Sequence, residues 1–73
     1  SYHVFVRSDS MGMTLEVSAM HGKFPMMDPE KSRVGMTGAA IRAYNKKFDV
    51  DDFRPATDDE IAAHLGRDAI GDD

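Results

Sequence analysis

The chain has no cysteine and no tryptophan, only three prolines, and no long apolar run. Each lack removes a class of protein. Without thiols there is neither a disulfide framework nor a zinc ribbon built on thiolates. No stretch approaches the roughly 18 apolar residues that a membrane-spanning helix needs, and the first residues do not read as a signal peptide. The expected compartment is therefore the cytoplasm, with no membrane partner. At 73 residues there is room for one small domain, and a chain of this size buries only about 60% of its unfolded surface. With 41% hydrophobic and 30% charged residues, it is foldable rather than disordered.

Charge is present in plenty, but it is divided unevenly. Residues 1–47 hold seven bases and four acids, a balance of +3, while residues 48–73 hold two bases and nine acids, a balance of −7. Net acidity argues against a whole surface that grips a nucleic-acid backbone. A bipolar body suits a protein partner with patches of both signs. Ordinary solubility with an acidic tail would leave the same pattern.

The pattern along the chain predicts an α+β domain over residues 1–66 and an acidic, flexible tail over 67–73. "YHVFVR" and "MTLEVSAM" both alternate, with turn formers between them, and read as an antiparallel hairpin. Its buried face would carry Tyr2, Val4 and Val6 against Leu15 and Val17. The other face would carry His3, Phe5 and Arg7 beside Thr14 and Glu16, with Arg7 and Glu16 as a cross-strand pair. Phe5 is the oddity on that wetter face. It either packs under later segments or stays exposed for a partner. A third short strand near Lys23–Met26 is an option.

Helical signals follow. Asp28–Pro29 is a fair start, because proline lacks an amide that the first turn cannot use. Gly35 and Gly38 weaken a continuous helix, and Thr37 offers a cleaner beginning for "TGAAIRAYNKKF". There Ala40, Ile41, Tyr44 and Phe48 fall on one face, while Arg42, Asn45 and Lys46 point away. Lys46 and Lys47 sit where a helix's negative pole favours bases. "DVDDFRPA" reads as a linker. Thr57 and Glu60 then form a capping box, with Asp58 and Asp59 in the first turn. Ile61, Ala62 and Leu65 would form the buried stripe, and Gly66 would end the helix.

No catalytic or metal constellation emerges. His3, His21 and His64 have no second ligand at helical spacing. An EF-hand count from Asp49 puts Arg54 where a glycine must turn. "GMTG" at 35–38 lacks the lysine and the preceding strand of a phosphate loop. No nucleophile elbow is present. The expectation is a protein that is not an enzyme and takes no cofactor. Among six methionines, Met13 reads as core filler. Met26 and Met27, beside Phe24 and Pro25, read either as core filler or as an adaptable binding surface.

In size and layout, the whole chain resembles the small regulators that lytic bacteriophages direct at their host's transcription machinery, such as that of a phage infecting Xanthomonas. The shared layout is a cysteine-free body, an N-terminal hairpin, a basic helix and an acidic C-terminal end. The chain is expected to be a monomer, and the resemblance implies that it is phage-encoded and acts in the host cytoplasm. It would bind bacterial RNA polymerase at the RNA exit region, with nascent RNA nearby. There it would disfavour the sigma factor, inhibit initiation and promote readthrough of terminators. No contact carries over residue by residue. The candidate partner-binding residues, chosen by exposure and charge, are His3, Phe5, Arg7, Lys23, Arg33, Arg42, Lys46 and Lys47. Two other readings stay open. The acids Asp49, Asp51, Asp52, Asp58 and Asp59 would suit a phosphate mimic that inhibits a defence or nucleic-acid-handling complex. Arg42, Lys46 and Lys47 would suit a small RNA- or DNA-binding module, although no aromatic platform accompanies them.

Overall fold

Strand β1 (His3–Ser8) and strand β2 (Met13–Ser18) form the hairpin that the alternation predicts, followed by helix α1 (Pro29–Phe48), strand β3 (Phe53–Pro55) and helix α2 (Asp58–Gly71). This is a computed structural model, and it describes residues 3–18 and 29–71. The sheet is antiparallel in the order β2-β1-β3. Register sets Val4 opposite Val17, Val6 opposite Leu15 and Pro55, and Ser8 opposite Phe53. Paired residues share a face, so the sheet has one apolar side and one mixed side.

Helix α1 covers the apolar side. Val6, Ala40 and Phe53 form the centre of the core, with Leu15, Val17, Ile41, Tyr44, Phe48 and Val50 packed around them. Met36 and Val4 are buried as well. Fully burying a side chain of this size stabilises the fold by roughly 1.5–3 kcal/mol. That gain explains why α1 runs unbroken through Gly35 and Gly38, although a start at Thr37 would have left Gly35 outside the helix. Each glycine costs about 1 kcal/mol relative to alanine, less than Met36 and Ala40 return by burial. Thr37 is no cap. Its hydroxyl donates to the Arg33 carbonyl at 2.8 Å, one turn back in the same helix. Pro29 does stand at the helix start.

The other end of α1 is closed by Asp49, which takes the left-handed conformation at φ 56°. The Val50 amide reaches back to the Asn45 carbonyl at 3.0 Å, the six-to-one bond of a Schellman cap. Asn45 faces inward rather than away: its side-chain oxygen accepts the Phe53 amide at 3.0 Å. That bond begins β3, so "DVDDFRPA" is not a plain linker but contains the third strand of the sheet. The strand considered at Lys23–Met26 lies outside the described residues, as do Tyr2 and the Met26–Met27 pair.

Helix α2 lies on the mixed side of the sheet. Its capping box forms as expected, with the Thr57 amide donating to Glu60 Oε1 at 2.8 Å and the Glu60 amide to Thr57 Oγ1 at 3.2 Å. The stripe it turns to the sheet is Glu60, Ile61 and His64, while Ala62 and Leu65 are exposed. The hydrophobic stripe expected from Ile61, Ala62 and Leu65 is thus wrong by part of a turn, because charged and ring contacts on the sheet set the helix's rotation. Gly66 does not stop the helix either. The backbone continues helical through residues 67–71 to Gly71, into the stretch expected to be a tail.

Candidate partner-binding surface

The mixed side of the sheet consumes most of the polar residues that the hairpin offers. Register brings Arg7, Arg54 and Thr14 into one row. Arg54 makes a bidentate pair with Glu60, Nη1 to Oε1 at 2.9 Å and Nη2 to Oε2 at 2.8 Å. The same guanidinium reaches Asp9 through Nη2 at 3.0 Å. Arg7 donates from Nε to Asp9 at 3.2 Å, lies 3.4 Å from Glu60, and donates from Nη1 to Thr14 at 3.0 Å. Two bases and two acids therefore neutralise one another. Arg54, then the Thr57 amide, holds the Glu60 carboxyl down at about 2, and Glu60 and Asp9 raise the Arg54 guanidinium still further above its ordinary value.

Of the candidates on the hairpin, none is left unengaged. Arg7 belongs to this network, and its expected partner Glu16 instead receives the ring nitrogen Nδ1 of His3 at 2.5 Å. Phe5 packs under α2, with its ring centroid 6.1 Å from that of His64 in an edge-on arrangement. Its carbonyl accepts the Ala56 amide at 2.9 Å. Lys23 lies outside the described residues. A cleft of about 290 Å³ between α2 and the hairpin includes Arg7, Thr14 and Glu60, but its base is already neutralised by carboxylates and offers no free positive charge to an anion.

Of the acids considered as a phosphate mimic, Asp52 is tied into the fold, while the side chains of the other four are exposed. Asp52 accepts the fully buried Ser8 hydroxyl and the Ser10 amide, each at 2.7 Å, tying the α1–β3 connection to the hairpin turn. Ser8 first, and the Ser10 amide second, hold its carboxyl below the usual range. Asp49 closes α1, and Asp58 and Asp59 start α2. Asp51 is exposed.

Helix α1 is different. Arg33, Arg42, Lys46 and Lys47 are all exposed, and among the described residues none forms an ion pair with the chain's own acids. Lys47 lies over the Phe48 ring with Nζ 5.6 Å from its centre, a cation–π contact that leaves the charge in water. Along α1 runs an apolar groove of about 410 Å³, bounded by Val34, Gly38 and Ile41 of α1 and by Pro55 of β3, with Arg33 at its rim. The Arg42 guanidinium folds back to 3.4 Å from where a Gly38 Cβ would stand, so it borders the groove too. A second hollow of about 310 Å³ shares Arg33, Thr37 and Pro55 and extends to Ile61. Among the described residues no carboxylate lines either one. The bases of this surface were legible in the sequence; the groove was not, because Val34 and Pro55 meet only through the α1–β3 packing.

Among the described residues no cluster of three or more histidine or carboxylate groups could hold a metal ion. No helix among them is long and apolar enough to cross a membrane. Neither family models, curated proteins nor solved structures give a significant match to this chain.

Proposed function

We propose that this chain is a non-enzymatic regulator that docks the basic outer face of α1 onto an acidic surface of a macromolecular partner. One observation carries the reading: Arg33, Arg42, Lys46 and Lys47 are exposed and, among the described residues, form no ion pair with a carboxylate, whereas Arg7 and Arg54 are neutralised within the fold. Unpaired surface bases cost little to desolvate beside opposite charge, and they steer a partner into place. The resemblance to phage regulators names bacterial RNA polymerase as that partner, and inhibition of initiation with readthrough of terminators as the outcome.

The test is affinity capture from bacterial lysate at low and high salt, with the wild-type chain and with the triple variant R42E/K46E/K47E. Polymerase subunits should be retained by the wild type, released by salt and absent with the variant. Equal capture by the variant, or capture without polymerase, would overturn the reading. A gel-shift of the purified chain on single-stranded RNA should show no complex at moderate salt, since two neutralised arginines and a net charge of −4 leave too little positive surface.

A further inference from the structure

Three large apolar side chains are conspicuously exposed among the described residues: Met11 in the hairpin turn, Val34 on α1 and Leu65 on α2. Val34 is 66% exposed and Leu65 48%. The surroundings of the last two are complementary. Val34 stands in the apolar groove with Arg33 and Arg42 at its borders and, among the described residues, no carboxylate in its lining. Leu65 belongs to an exposed stripe of α2 with Ala62 and Asp58, at positions i, i+4 and i+7 counted from Asp58, and Asp59 is exposed beside it. One helix thus shows an apolar site flanked by bases, the other an apolar residue preceded by acids.

The spacings agree as well. At 1.5 Å per residue, Val34 and Arg42 are separated by about 12 Å along α1, and Leu65 and Asp58 by about 10 Å along α2. A helix laid along the groove can therefore place its leucine beside Val34 while its aspartates reach Arg42. Within one molecule this cannot happen, since α2 is held on the opposite side of the sheet by the Arg54–Glu60 pair.

We propose that the chain binds a second copy of itself, the outward stripe of α2 of one molecule seated in the α1–β3 groove of the other. Leu65 fills the space beside Val34, Ile41 and Pro55, and Asp58 and Asp59 meet Arg42. If the two contacts close about a two-fold axis the product is a dimer; if they do not, it is an open chain of copies. An external acidic partner would compete for Arg42, so self-association would regulate the same surface.

The experiment is sedimentation velocity on the purified full-length chain over a concentration series, with circular dichroism on every variant. The wild type should show a mass above that of the monomer, falling towards it as salt is raised. Val34→Asp and Leu65→Asp, both at exposed positions, should each move the association midpoint to at least about tenfold higher concentration. The decisive arm uses charge reversal: R33E/R42E and D58K/D59K should each be monomeric alone, yet associate when mixed, because every contact in the mixture again joins opposite charges. A wild type that stays monomeric at all attainable concentrations, or a mixture that does not recover association, would overturn the proposal. Purified chain alone is used, so failure here leaves the polymerase reading intact, and failure of polymerase capture leaves this proposal intact.

Discussion

Arg54 and Glu60 lie six residues apart, on β3 and α2, and their parallel contacts at 2.9 and 2.8 Å fasten the last helix to the sheet. Glu60 also receives the Thr57 amide at 2.8 Å. One carboxylate therefore both starts α2 and fixes its rotation on the sheet. Turning Glu60 and His64 inward leaves Leu65 outside, which is where the exposed stripe of α2 originates.

That carboxylate makes stability depend on acid. Its folded pKa of about 2 lies below the ordinary 4.5, so its contribution is complete above about pH 4.5 and is lost as pH falls towards 2. Asp52 is displaced in the same direction from 3.8, and adds to the loss in the acid range. Thermal melts between pH 6 and about pH 2 should show Tm falling steeply for the wild type. Glu60→Gln should start lower at pH 6 and fall less. An unchanged slope in Glu60→Gln would show that the pair does not couple folding to protonation.

Asn45 joins α1 to β3 by a single hydrogen bond, and its loss leaves the Phe53 amide without its acceptor. Asn45→Ala should lower unfolding free energy by about 1–3 kcal/mol in urea titration. Hydrogen exchange at the Phe53 amide should speed up with it. Asn45→Asp retains an acceptor oxygen at the same place and should be milder; equal damage from both would contradict the role assigned to that bond.

Asp49 sits in left-handed backbone at φ 56°, a region that aspartate tolerates and branched side chains do not. Asp49→Val should destabilise by about 1–2 kcal/mol, whereas Asp49→Gly should cause no loss. Equilibrium unfolding of the two variants side by side checks this. A valine variant as stable as the glycine one would mean that the turn readily adopts another geometry.

Much of the local structure was legible residue by residue. The hairpin followed from strict alternation, and the capping box at Thr57–Glu60 from a spacing of three. Pro29 marked the start of α1, and its bases at Lys46 and Lys47 emerged on an exposed end. Local rules failed wherever the deciding partner was distant in the chain. Gly35 and Gly38 argued for a break that burial of Met36 and Ala40 overrides. Asn45 looked solvent-facing until β3 supplied a donor. Arg7 was expected to meet Glu16 on the neighbouring strand, but Asp9, Arg54 and Glu60 enclose it instead.

Sequence alone determined what depends on neighbours a few residues away: the α+β class, the hairpin, the helix starts, and the separation of bases from acids along the chain. Tertiary structure decided which charges remain available. Asp9 and Arg54 are 45 positions apart and meet only because β3 pairs with β1. No periodicity encodes such a contact, since it arises from the closure of the sheet and the seating of α2 on it. The same closure leaves Arg33, Arg42, Lys46 and Lys47 without a carboxylate partner among the described residues and opens the groove beside α1.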